Sequence, residues 1–165
     1  MMAWAKNNGD AGVNTLFSMG KQLGYANSQF ALEFSMHGLF VYFFPDGFFW
    51  EAASAYHLIS DKQWHHWAVT MDDQGQGRLY QDGALYIPSS KNAVQTSSSP
   101  ADTSCETSST EAPLTIGGRN CFLDMWQADN DCVHNWKGYI ASVRIWNDRA
   151  LSATEIAYWK TLDQP

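Results

Sequence analysis

Residues 64–71 read Trp64-His65-His66-Trp67-Ala68-Val69-Thr70-Met71, and residues 79–86 read Leu79-Tyr80-Gln81-Asp82-Gly83-Ala84-Leu85-Tyr86. The first stretch alternates, setting Trp67, Val69 and Met71 on one face of a strand and His66, Ala68 and Thr70 on the other. In the second, Asp82-Gly83 stands between two apolar runs. That is a strong hairpin signal, because both central residues of a type I′ turn take positive φ. Working outward, residues 30–36 and 39–44 form another hairpin around His37-Gly38, and residues 114–117 and 139–146 add further strands. Strands at this spacing, joined by Gly, Asn and Asp turns, predict an antiparallel sandwich.

The composition agrees. Eight Trp, seven Tyr and nine Phe make 15% aromatic, and Asp, Glu, Lys and Arg together make 16%, against about 25% charged in an average domain. A disordered chain lacks such an aromatic supply. The 165 residues are about one domain's worth, enough to bury one solid core. Ten basic residues against seventeen acidic give a net charge of −7, which excludes the phosphate backbone of a nucleic acid as main partner. No apolar run has the length of a membrane span. The opening MMAWAKNNG lacks the basic and apolar regions of a signal peptide. Only four of the seventeen acids, Asp10, Glu33, Asp46 and Glu51, fall in the first 60 residues, so acidic loops are expected in the second part of a single domain.

Two further segments stand apart. At the C-terminus, Ser152 with Glu155 forms a capping box, and Leu151 with Ile156 occupies the staple positions, predicting a helix that packs Ile156 and Trp159 on the sandwich. Between Tyr86 and Leu114, residues 88–112 contain twelve Ser or Thr among twenty-five and almost no bulky apolar side chain. Such a segment does not offset its ordering entropy and reads as an exposed insertion. It is either a tolerated flexible loop or, given Ser/Thr with Pro, a site of O-glycosylation. No N-x-S/T sequon occurs in the chain.

In this order the segments resemble a laminin-G-like or pentraxin-type domain of the concanavalin A-like lectin/glucanase superfamily. The resemblance rests on Ala3-Trp4-Ala5-Lys6 with Thr15-Leu16-Phe17-Ser18, and on Trp64 to Asp72 with Arg78 to Gly83. It rests equally on Leu114-Thr115-Ile116-Gly117-Gly118, and on Gly138 to Ser152 with Glu155-Ile156. It covers nearly the whole chain and implies an all-β fold: an antiparallel β-sandwich (concanavalin A-like jelly roll) with one short C-terminal α-helix. The family has a further edge strand before the first block, so a domain cut from a longer protein is expected. Where the family often carries acids after Gly-x-Ile, this chain has Ala141 and Ser142.

Several constellations bear on function. Asp124, Asp129, Asn130 and Asp131 share one loop at a sandwich rim. They present the oxygen donors calcium takes, and are otherwise a solvated acidic loop. The resemblance implies calcium in this interval, because pentraxin-like members bind it there, although their acid–amide pattern is not reproduced. Cys121 and Cys132 bracket the loop, and strands leaving and re-entering a rim bring such ends together. A disulfide there would stabilise by about 2–3 kcal/mol and imply an oxidising compartment. Neither cysteine belongs to a CxxC, so zinc has little support, and His134 reads as polar surface. Cys105, in the insertion, is left to a neighbouring chain or to a segment elsewhere in the protein.

The aromatic run from Phe40 to Trp50 is too dense to lie all on one face. Tyr42, Phe44, Phe48 and Trp50 are the candidates for an exposed set beside the Pro45-Asp46-Gly47 turn, serving sugar stacking or packing against a neighbouring domain. His65 and His66 read as strand framework, not catalysts. Glu33 and Glu51 sit in different strands, and no E-x-D-x-x-E or E-x-D-x-E run supplies a glycosidase pair. The expected function is non-catalytic extracellular recognition of a carbohydrate or glycoprotein, assisted by calcium. The alternative is a structural domain packed against neighbouring domains or subunits of an extracellular assembly, with a glycoside hydrolase third.

Overall fold

The structure, a computed structural model, describes residues 1–9, 12–20, 28–35, 38–43, 48–52, 58–73, 77–86, 114–118 and 135–165. In chain order the strands are β1 (Met2–Asn7), β2 (Asn14–Gly20), β3 (Ser28–Ser35), β4 (Gly38–Phe43) and β5 (Phe48–Ala52). They continue with β6 (Trp64–Met71), β7 (Gly77–Gln81), β8 (Ala84–Leu85), β9 (Leu114–Ile116) and β10 (Gly138–Arg144), and end on helix α1 (Ala153–Leu162). Two five-stranded sheets result, ordered β10-β1-β6-β7-β8 and β5-β4-β3-β2-β9. Every pairing between named strands is antiparallel, as in the predicted sandwich.

The β7–β8 turn has the predicted chemistry, with Asp82 at φ 52° and Gly83 at φ 83°. Strand β10 ends at Arg144, short of the predicted 139–146. Arg144 pairs with Met2, the first residue of β1, so no partner strand remains beyond it.

Alternation in β6 divides the molecule as the sequence requires. Trp67 and Val69 enter the core between the sheets, while Ala68 joins a second cluster under the helix. Ala3 lies opposite Trp67 in register, so a small residue on β1 makes room for the indole. Phe34, from the other sheet, meets Trp67 edge-on at 4.7 Å and Trp136 at 5.8 Å. All three rings are buried, each giving about 1.5–3 kcal/mol through burial and a further fraction through ring geometry.

Helix α1 begins as predicted. The Ser152 hydroxyl accepts from the Glu155 N–H at 3.3 Å while a Glu155 carboxylate oxygen accepts from the Ser152 N–H at 2.8 Å. The Ser152 N–H, the Arg149 guanidinium and the Ser152 hydroxyl, all donating to that carboxylate, hold the Glu155 carboxyl at about 2. Ile156 is fully buried against Met2, Ala68, Tyr80 and Leu151. The far end of α1 is fastened twice. Arg144 forms a two-pronged pair with Asp163 and stacks 4.4 Å over the Trp159 ring, and Lys160 donates to the Asp82 carbonyl at 2.9 Å. The helix therefore covers one end of the outer face of the β10-β1-β6-β7-β8 sheet.

Candidate functional site

The rim between β9 and β10 is held shut by main-chain and amide hydrogen bonds. Gly117, at φ +76°, donates to the Leu16 carbonyl at 2.9 Å, and its own carbonyl accepts from the Trp136 N–H at 3.0 Å. Thr15 and Asn135 form a parallel bridge, and Ser18 donates to the Gly118 carbonyl at 2.9 Å. Buried Asn14 organises the crossing from sheet to sheet. Its Oδ1 accepts from Asn7 Nδ2 at 2.8 Å and from the Lys137 N–H at 3.1 Å, while its Nδ2 donates to the Gly12 carbonyl. The Trp136 indole donates to the Lys6 carbonyl at 3.2 Å. Glycine is obligatory at position 138, where a Cβ would stand 2.0 Å from the Lys6 carbonyl oxygen.

This clamp joins residues 117–118 to residues 135–136, so the two ends of the 119–134 segment are held together at one point of the rim. Asp124, Asp129, Asn130, Asp131, Cys121 and Cys132 belong to that segment and lie outside the described residues. Cys121 follows Gly118 by three positions and Cys132 precedes Asn135 by three, which places both cysteines at equal chain distance from the closed stem. Cys105, the 88–112 insertion and Phe44 also lie outside the described residues. Among those described, no cluster of His, Cys, Asp and Glu is gathered for a metal ion.

The register of the β4–β5 hairpin divides the other candidates. Tyr42 is matched with Phe49, whereas Phe48 and Trp50 are matched with Phe43 and Val41. Val41 in turn is matched with Leu32, a core residue of β3. Successive register rows alternate between the faces of a sheet, so Phe48 and Trp50 stand in one set of rows and Tyr42 in the other. The expected four-residue platform is thus not a single register set. Glu33 and Glu51 do fall in one row, on either side of Phe40, two strand spacings or about 10 Å apart along the backbone. Glu33 is buried, and its Oε1 accepts from the Thr15 hydroxyl at 2.9 Å.

The paired histidines are framework. His66 is buried with its ring edge-on to Trp4 at 5.5 Å, and burial pushes its pKa down to about 4. His65 is held between two carboxylates, Nδ1 at 2.7 Å from Asp82 and Nε2 at 3.0 Å from Asp61. Burial opposes its charged form, but hydrogen bonds to Asp82 and Asp61, reinforced by their charges, outweigh it and raise the pKa. The same Asp82 accepts from the His66 N–H at 2.9 Å. These groups tie a turn, a strand and the helix together.

Sequence reading missed the Asn7–Asn14 clamp. Its one signal was a pair of asparagines inside apolar strands at the ends of a tight connection.

An antiparallel two-sheet sandwich, with a helix on one outer face and a clamped rim joining the sheets, defines a lectin-like jelly-roll domain. The chain belongs to the laminin G-type members of the concanavalin A-like lectin/glucanases superfamily, whose family model matches residues 1–157. Such domains are generally carbohydrate-binding or structural and occur commonly in extracellular proteins. They are typically non-catalytic, although the superfamily includes glycosidases. No curated protein matches the chain significantly. No helix among the described residues is long and apolar enough to cross a membrane.

Proposed function

We propose that this domain is a non-catalytic recognition module of an extracellular protein, binding a carbohydrate or glycoconjugate through the rim segment 119–134 with the help of calcium. The observation that carries this reading is the closed stem, the Trp136 N–H on the Gly117 carbonyl at 3.0 Å. A stem that returns the chain to its point of departure turns a sixteen-residue stretch into a loop presented at one place on a rigid scaffold, the usual position of a binding site. Its donor set fits calcium by chemistry. Asp124, Asp129, Asn130 and Asp131 supply carboxylate and amide oxygens of the kind calcium takes. When bound, the ion would supply a charged centre for sugar hydroxyls.

A Cys121–Cys132 bridge would restrain the same loop from inside, and it requires an oxidising compartment. The non-catalytic reading is supported by Glu33, which is buried and engaged by Thr15.

The test is a glycan array probed in calcium and in chelator, with calcium titrated separately by calorimetry. Calcium-dependent glycan binding is the expected result. No glycan signal in either buffer would favour the structural reading, in which the domain packs against neighbours in an assembly. Release of reducing sugar from polysaccharides would favour the hydrolase.

A further inference from the structure

His66 stands beside the last turn of α1. It lies two positions before Ala68 on the outer face of β6, and Ala68 packs with Met2, Tyr80, Leu151 and Ile156 beneath the helix. In register with His66 is Trp4 of β1, and on its other side the Asp82 N–H donates to the His66 carbonyl at 2.8 Å. Asp82 in turn accepts from Lys160 of the helix. His66 is 1% exposed, and its Nδ1 is buried with no hydrogen-bond partner among the described residues.

A proton on this ring would be a buried charge with an unmatched donor, and the groups that face it are already committed. On α1, Lys160 repels the charge, and the Asp163 carboxylate is bound through both oxygens to Arg144 of β10. In the β7–β8 turn, the Asp82 carboxylate holds His65 Nδ1 on one oxygen and the His66 N–H on the other. His65, next on β6, is itself bonded to Asp82 and Asp61. On β1 are the Met1 amine, bonded to the Val69 carbonyl, and Lys6, two positions past Trp4.

The cover over His66 is separable from the rest of the fold. Helix α1 has ten residues, of which Ile156 is the buried one, and a helix of that length is marginal when detached. Its far end is fastened by side chains only: Arg144 to Asp163, Lys160 to the Asp82 carbonyl, and the Ser142 hydroxyl to the Asp163 carbonyl at 2.9 Å. Strand β1, by contrast, is paired along both edges. Elements held in such different ways open with different free energies.

We propose that α1 is an acid-released latch: protonation of His66 favours a minor state in which the helix has lifted while both sheets stay folded, uncovering an apolar surface of Met2, Ala68 and Tyr80. The latch does not depend on the glycan reading. A covered His66 takes its proton near 4 and an uncovered one near the ordinary 6.5. From pH 7 to pH 5 the ratio of lifted to closed should therefore rise about ten- to twentyfold. His65 adds nothing to this ratio, because neither of its partners is on the helix.

Amide hydrogen exchange of the whole chain at pH 7 and pH 5, in low and rising urea, tests it. Rates are read as protection relative to the free-peptide rate at each pH. The α1 amides should be less protected than those of β6 and β7 and should depend less on urea, which marks a local opening. Their protection should fall about ten- to twentyfold between the two pH values, and His66→Gln should abolish most of that fall. Should His66→Gln not fold, the pH profile of the natural chain decides. Protection of α1 that falls steadily below pH 6.5 supports the latch; a fall that begins only in the carboxylate range, or one confined to the range of the Met1 amine between pH 8 and pH 6, overturns it. Equal urea dependence of α1 and the strands, or an equal fall in His66→Gln, also overturns it.

Discussion

Acidification between pH 6.5 and pH 4 puts a proton on His66 in the unfolded chain but not in the folded domain. Burial lowers the folded-state value from 6.5 to about 4, so in this window the unfolded state binds more protons and stability falls as pH falls. The contribution of neutral His66 is whole above pH 6.5 and its loss is nearly complete near pH 4. At about 1.4 kcal/mol per tenfold in proton affinity, the full loss is about 3 kcal/mol, a large part of a domain's usual 5–15 kcal/mol. His65 acts in the opposite sense. Its pKa is raised, so its contribution is fully present below 6.5 and is lost as pH rises through the folded value; below 6.5 it adds no slope. The lowered carboxylates Asp61, Asp163 and Glu155 begin to lose their contributions as pH falls into the ordinary carboxylate range, at the foot of this window and equally in the variant. Urea denaturation at steps across the window, for the natural chain and for His66→Gln, isolates the effect. The natural chain should lose about 3 kcal/mol more than the variant, at constant m-value. Equal slopes, or a His66 ring that titrates near 6.5 by NMR in the folded protein, would refute the reasoning.

Three further outcomes follow from the packing. Ile156→Ala, at a fully buried position under the helix, should cost about 2–5 kcal/mol by denaturant titration and expose Trp159 to quenching. Gly138→Ala places a Cβ 2.0 Å from the Lys6 carbonyl oxygen; β10 should part from β1 and the melting temperature should collapse, with a loss of about 4 kcal/mol or more. Non-reducing peptide mapping should recover Cys121 joined to Cys132, and reduction should cost about 2–3 kcal/mol; two free thiols in protein matured in an oxidising compartment would contradict the bridge.

What the sequence disclosed were the features that neighbouring residues determine by themselves. Asp82-Gly83 specifies its turn through positive φ, and Ser152 with Glu155 specifies a helix start, so both stand where they were expected. Register was harder. Four residues, 44–47, connect β4 to β5, and with Phe43 matched to Phe48 every even position meets an odd one. Tyr42 consequently falls opposite Phe49 and apart from Phe48 and Trp50, which no period-two reading of a single strand reveals. The rim clamp was hidden for another reason. Asn14 is buried with its amide bonded at once to the Asn7 side chain, the Gly12 carbonyl and the Lys137 N–H, and in one dimension it looks like any polar residue of a strand. The acidic residues and two cysteines of 119–134 lie outside the described residues; the structure adds the hydrogen bond between Gly117 and Trp136 on either side of them.

The most direct measurement of the central claim is glycan binding by the whole chain in calcium and in chelator, repeated with Asp129→Asn and Asp131→Asn together. The account predicts a set of glycans bound by the natural chain in calcium, lost in chelator and lost in the double variant while the melting temperature in chelator is unchanged. A chain that binds no glycan in either buffer, or binds that set equally well without the two carboxylates, would contradict it.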